Sequence, residues 1–299
     1  MSASNQVDAW KRSGKSVRRF CFVCNEVTEW TSVTVLPRFL FNCAAAIIKC
    51  NGCGLGATDP APSANLDYYA DNLNYEEFFL ARQATYDEFA KDLFSAITAV
   101  DQNLSEKSIL DVGAGGGFFV GVAHKAGMKA FGIEPNTRLV KYCQNKGLSV
   151  TTGNVSEAFN LPLEFPKAYD FVVLSAVLEH LPDPVLALNN CLTVLRPGGE
   201  ILVSQACYDG LLPRLAPWLW YGWQPREHFW HFTLPNLIKL AEQCDLKDVS
   251  IVRNSLHHPW FYKGSLQTLI GRNVASILGR VGCKCGYGDQ INVLFSRNE

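Results

Sequence analysis

The stretch that most constrains this chain is Ser108-Ile109-Leu110-Asp111-Val112-Gly113-Ala114-Gly115-Gly116-Gly117-Phe118-Phe119. An aliphatic run closes on an acid, and a turn with four glycines in five residues leads into an apolar helical stretch. A buried parallel strand hands over to a crossover helix in this way. Glycine suits the turn because only a residue without Cβ takes positive φ and also lets a ligand lie against the backbone. A dinucleotide turn, G-x-G-x-x-G, would need glycine where Phe118 stands.

Acids flank the turn. Asp111, two residues before the first glycine, can approach the cationic end of a ligand. Glu134 closes the next hydrophobic run, residues 128–133, where a carboxylate can accept both hydroxyls of a ribose. Two acids around a glycine turn that is too short for a pyrophosphate resemble the nucleoside site of class I S-adenosylmethionine-dependent methyltransferases, whose first motif reads D-x-G-x-G-x-G. The resemblance runs over about residues 105–253.

Length and composition fit one large α/β domain plus a small unit, since domains usually run ~100–200 residues and the chain has 299, 48% of them hydrophobic. A formal charge of −1 and pI near 6.6 supply no field that attracts nucleic acid or anionic membrane. There is no uncharged apolar run of about 18 residues, and residues 1–6 are polar rather than leader-like. A soluble, cytoplasmic protein with a small-molecule partner and no membrane or nucleic-acid partner is expected. Eleven cysteines, an odd number at mostly irregular spacing, argue against a secreted disulfide framework.

Four cysteines are regularly placed: Cys21-Phe22-Val23-Cys24 and Cys50-Asn51-Gly52-Cys53-Gly54, with two hairpin strands between them. Two C-x-x-C pairs set four thiolates for a tetrahedral structural Zn2+; buried thiols or a redox pair are the alternatives. With all four positions taken by cysteine, such a metal would replace a missing core rather than do chemistry. The organisation expected is a polar, basic flexible tail (1–18), a zinc ribbon (19–58), a linker and helical cover (59–104) and a methyltransferase domain (105–299). A zinc ribbon, a Tyr-Tyr pair and a helix ahead of the glycine strand are similar to a branch of small-molecule methyltransferases related to ubiquinone-biosynthesis enzymes. In that branch the helix covers the cofactor, so Tyr68, Tyr69 and Arg82 would contact the methionine moiety, with ordinary packing as the other reading.

The resemblance implies a doubly wound, seven-stranded, mostly parallel Rossmann-like sheet with an antiparallel last strand, and S-adenosyl-L-methionine held by Asp111, Gly113, Ala114, Gly115, Gly117, Glu134, Pro135, Asn154, Val155, Ser175 and Ala176. Asn154 stands where the family usually has an acid; its amide oxygen can still accept from the adenine amino group. The block 165–181, ending Leu178-Glu179-His180-Leu181, resembles the family's fourth strand and the loop beneath the sulfonium. His180 is thus a candidate base, or only orders the loop. Residues 208–232, rich in Trp and Phe, would form an aromatic lid over the acceptor. Glu227-His228 through Phe232-Thr233 resembles the family's E-H-x-x-x-F-[ST] segment, which makes His228 a second candidate base; His231 is a third candidate outside the motif. No second metal-binding cluster is legible near the fourth strand, which disfavours a magnesium-dependent catechol mechanism. The expected activity is methyl transfer to a sugar, polyketide, quinone or other specialised metabolite, O-methylation with a histidine base. An RNA base methyltransferase and an inactive scaffold are the alternatives.

Overall fold

The computed structural model describes residue 10 and residues 15–36, 43–62, 69, 74–157, 159–254 and 266–297. Tyr68 lies outside the described residues. Four antiparallel strands come first: β1 (Ser16–Cys21), β2 (Glu26–Leu36), β3 (Ala45–Cys50) and β4 (Gly56–Asp59). Their Thr, Val and Ile runs suit a pleated, half-buried surface. The tight turns β1–β2 and β3–β4 carry the two C-x-x-C pairs, so the four sulfurs meet at one end of the sheet. Trp10, expected in a mobile tail, is buried, and its indole donates a hydrogen bond to Asp59.

Within the helical cover expected over residues 59–104 lie two helices, α1 (Asn74–Leu80) and α2 (Gln83–Thr98), broken at Ala81-Arg82. Strands and helices then alternate: β5 (Ser108–Val112), α3 (Phe118–Lys125), β6 (Lys129–Glu134), α4 (Thr137–Asn145), β7 (Val150–Thr152), β8 (Tyr169–Ser175), α5 (Pro184–Thr193) and β9 (Leu195–Ala206). The remaining elements are α6 (Leu211–Leu215), β10 (Trp230–His231), α7 (Leu234–Glu242), β11 (Leu246–Asn254), α8 (Leu266–Lys284) and β12 (Gln290–Arg297). Local chemistry sets the helix starts. Asn136 Oδ1 accepts from the Arg138 and Leu139 N–H groups, Asp183 Oδ1 from Leu186, and Asn236 returns its side chain to the Thr233 N–H.

Seven strands form one sheet in the order β11-β12-β9-β8-β5-β6-β7, with β12 antiparallel to both neighbours. Side chains alternate between its two faces: Leu110, Val112, Val172 and Leu174 join one core, while Ile109, Phe171 and Val173 join the other beneath α2 and α3. The strand order reverses between β5 and β8, so a crevice opens at their carboxyl ends. No helix among the described residues is long and apolar enough to cross a membrane.

The ribbon is grafted onto this domain rather than tethered to it. Strand β10 pairs with β4 to extend the small sheet to five strands, and Trp30, Ile48 and Leu55 share one core with Leu181, Phe232 and Leu237. The unit expected over residues 19–58 therefore begins at Ser16 and takes its last strand from residues 230–231. Trp220 and Trp223, expected in a lid over the acceptor, instead pack between Leu36 and Ile47 of the ribbon and Ala275 of α8. The physical reason is that the ribbon's outer face is apolar, and the large aromatics serve it as a cover.

Candidate functional site

The crevice at the β5–β8 reversal is a cavity of about 510 Å³, inside the range typical of small-molecule sites. Asp111, Gly113, Ala114, Gly115, Glu134, Pro135, Asn154, Val155, Ser175, Ala176, Tyr69 and Arg82 all line it. Gly117 does not; with φ +70° it is the left-handed residue at which α3 begins, and a Cβ there would lie 2.8 Å from Cys143 Sγ. Gly115 also takes positive φ, and its N–H donates to Glu134 Oε2 at 2.8 Å. The Asn136 N–H donates to Glu134 Oε1 at 2.9 Å, so two backbone groups aim this carboxylate from the end of β6. Burial raises the Glu134 pKa against the pull of those two hydrogen bonds.

Asp111 differs. It is 4% exposed and lines the cavity, and no hydrogen bond or ion pair to its carboxylate occurs among the described residues. Burial first, and the neighbouring Glu134 second, push its carboxyl up to about 7. A buried carboxylate without a partner is costly unless a cation arrives. Nearby, Arg82 stacks on the Phe78 ring at 3.9 Å and donates Nη1 to the Phe78 carbonyl, while its Nε is buried without a partner. Asn154 Oδ1 accepts from the Ser156 N–H, leaving one lone pair for a ligand.

The far end of the cavity is set by the 3₁₀ turn Leu178–His180 and by residues 224–228. Ala176, at positive φ just past β8, turns the chain into this loop and carries strain that its sequence does not announce. His180 Nδ1 pairs with the Tyr69 hydroxyl at 2.7 Å, and a backbone hydrogen bond to Glu227 holds the same ring. Burial lowers the His180 pKa to about 4. His228 donates Nδ1–H to the Gly222 carbonyl at 2.9 Å, because a carbonyl only accepts. Burial, then the neighbouring His180 and His231, hold it well below the usual histidine range. The neutral ring therefore keeps an unprotonated Nε2, and no hydrogen bond to that atom occurs among the described residues.

His231 is not a cavity residue: its Nε2 meets Thr58 Oγ1 at 2.9 Å, and burial lowers its pKa to about 3. The expectation that no second cluster of metal-ligating groups lies near the fourth strand is corrected. Ligand-capable atoms of Glu179, His180 and His228 lie within 4.8 Å of one another, brought together by segments far apart in the chain. Glu179 is 2% exposed; burial raises its carboxyl to about 7, and its Oε2 has no partner. A side-chain hydrogen bond from Gln205 reaches the same carboxyl, and the burial that sets its state depends on packing, which the Leu-Glu-His motif does not announce.

In the ribbon, Cys21 Sγ lies 3.6 Å from Cys53 Sγ and Cys24 Sγ lies 3.7 Å from Cys50 Sγ. A tetrahedron with metal–sulfur bonds of about 2.3 Å has edges of about 3.8 Å, so the donor set fits a zinc ion. The hydrogen bond with Cys53 holds Cys21 down to about 5, and burial pushes Cys24 up to about 11. A Cβ on Gly52 would lie 2.9 Å from Cys24 Sγ, so the knuckle has room only for glycine.

The family described as a methyltransferase domain matches residues 81–251, more than half of the chain. The chain belongs to the class I S-adenosylmethionine-dependent methyltransferases. This methyltransferase is 33% identical over 106 residues to the ubiquinone biosynthesis O-methyltransferase of Methylococcus capsulatus, covering 34% of this chain and 44% of that one. The chain thus aligns with less than half the length of that relative. Magnesium protoporphyrin IX methyltransferase of Synechocystis, solved with bound SAH, superposes with a TM-score of 0.52 at 12% identity, over 78% of this chain and 97% of its own. A putative methyltransferase solved with the Trm112 methyltransferase activator of Haloferax volcanii gives 0.54 at 13%, over 79% and 98%. At such identities the likeness extends to the fold alone.

Proposed function

We propose that this methyltransferase moves the methyl group of S-adenosyl-L-methionine to a hydroxyl oxygen of a small acceptor, a sugar, polyketide, quinone or other specialised metabolite, with a structural zinc ion in its ribbon. The observation that carries this reading is the unpartnered, buried Asp111 at the mouth of the glycine turn, beside a Glu134 aimed by two backbone N–H groups. The cofactor supplies a methyl carbon on a cationic sulfur. Asp111 would hold its ammonium group, Glu134 its ribose hydroxyls, Asn154 its adenine amine and the unpartnered Arg82 Nε its carboxylate. Holding the cofactor this way would fix one reactant of an in-line displacement, to which positioning gives a large part of the rate.

On the acceptor side, His228 is assigned the role of base, because its Nε2 keeps a lone pair. His180, held by Tyr69 and Glu227, orients the loop instead. Glu179, ionised, stabilises the imidazolium that forms when His228 takes the hydroxyl proton. The near-neutral net charge supports a small acceptor over RNA.

A divalent cation on Glu179, His180 and His228 is a second reading, favoured by their 4.8 Å grouping and the orphaned Glu179 oxygen. Turnover of a hydroxyl-acceptor panel, followed as S-adenosylhomocysteine, tests both. The base reading expects activity that is indifferent to added magnesium and falls at least about a hundredfold in His228→Ala; activity that needs added cation replaces it with the second reading. Retention of full activity in His228→Ala overturns the base assignment.

A further inference from the structure

We propose that Thr58, in the ribbon, is a positioning residue for His228, so that the folded four-cysteine knuckle sets acceptor turnover without touching cofactor binding. The inference rests on the assignment of His228 to the acceptor side.

Thr58 sits on β4, five residues beyond Cys53, and is 2% exposed. Its hydroxyl donates to the His228 carbonyl at 2.7 Å, and its N–H donates to the Phe229 carbonyl at 3.1 Å. A hydroxyl has one proton, and the His228 carbonyl takes it. The 2.9 Å contact of Thr58 Oγ1 with His231 Nε2 must then be an N–H donated by His231. His231 is thereby fixed as the neutral Nε2–H tautomer, opposite to His228, which carries its proton on Nδ1. One ribbon residue thus holds residues 228, 229 and 231, and the Phe229 N–H continues the chain of hydrogen bonds to the Glu179 carbonyl at 2.8 Å.

The pairing of β4 with β10 fixes the same segment, with Ala57 opposite Trp230 and Gly56 opposite His231. Gly56 allows close approach: a Cβ there would lie 2.8 Å from His231 Cβ. None of these contacts reaches Asp111, Glu134 or the glycine turn, which stand on β5 and β6. The cofactor half of the cavity is lined by the large sheet and the α1–α2 segment, whereas the segment that carries His228 into the acceptor half is held from behind by the ribbon. Zinc at the knuckle would hold β3, β4 and hence Thr58 in register. The sulfur spacing already fits the ion.

Thr58→Val keeps the shape and the strand propensity of the residue but leaves the His228 carbonyl and the His231 N–H unpaired in a buried place. The test compares wild type, Thr58→Val and Thr58→Ser by calorimetric affinity for S-adenosylmethionine, by kcat and KM, and by nitrogen NMR of labelled histidine rings. The valine variant should bind the cofactor within about twofold of wild type. Its kcat should fall about tenfold or more, as small misplacements of reacting groups do, and its His228 and His231 ring resonances should change. Thr58→Ser should restore both, and stripping the ribbon metal from wild type should change the same two resonances. Unchanged ring resonances in Thr58→Val would overturn the proposal, as would a cofactor affinity that falls in step with kcat. The NMR arm reads Thr58 even if His228 proves not to be the base, so the two failures are distinguishable.

Discussion

Asp111 carries the electrostatic burden of the unliganded protein. Its carboxyl, pushed up to about 7 by burial, keeps a proton to near neutral pH in the folded chain, whereas the unfolded chain releases it near pH 4. The contribution of Asp111 to stability should therefore fall as pH rises from about 4 to about 7, opposite in sign to that of the buried His180, His228 and His231, and is isolated by comparing wild type with Asp111→Asn. Asp111→Asn should melt later than wild type at pH 8 by the order of 1–3 kcal/mol, and alike near pH 4. The cationic ligand reverses the sign: its affinity should strengthen up to about tenfold per pH unit between 5 and 7, with proton release detectable in buffers of different ionisation heat. Glu179 makes a parallel case, also at about 7. Turnover should rise through pH 7 in wild type, and Glu179→Gln should flatten the rise and lower its plateau; an unchanged profile would remove Glu179 from the chemistry. Both flanking acids could be read from the sequence because each follows an apolar strand directly. Glu179 and Thr58 could not, since their importance comes from partners 49 and 170 positions away in the cases of the Glu179–His228 cluster and the Thr58–His228 bond.

At the level of elements, the strand-helix alternation was legible wherever apolar runs end in Gly, Pro or Asn. The strand ends at Asp111 and Glu134 and the block 165–181 were placed from the sequence, and the structure sets β5, β6 and β8 there. The destination of the aromatic insert was not legible, because abundance of Trp and Phe argues for burial without saying against what. Trp223, fully buried between ribbon and domain, is the sharpest case. Trp223→Ala should cost about 3–5 kcal/mol in denaturant unfolding; a loss under ~1 kcal/mol would show that the insert is not the mortar between the two units. At the knuckle, metal analysis of purified protein should find about one zinc per chain. Cys50→Ser should lower both metal content and melting temperature, whereas metal-free protein that melts like wild type would retire the structural zinc.

Seen whole, the two sheets share one of the molecule's cores, because β10 pairs with β4 and Trp30, Leu55, Leu181 and Leu237 pack together. A zinc ribbon suggests a separable module, and sequence offers no way to see that two residues, Trp230 and His231, close its sheet from across the chain. A chain shortened to begin at residue 60 should therefore lose cooperative melting, since Phe232, Trp230 and Leu181 would lose their cover; a sharp, single transition in that fragment would mean the ribbon is dispensable to the fold. Cofactor recognition, as proposed, would rest instead on the large sheet, with Asp111 and Glu134 at the cavity. Titration calorimetry of S-adenosylmethionine into the full-length protein at pH 8 tests this most directly. The account predicts saturable binding of one cofactor per chain that Asp111→Asn abolishes while the variant stays folded; heat indistinguishable from dilution in wild type, or undiminished binding in the variant, would contradict it.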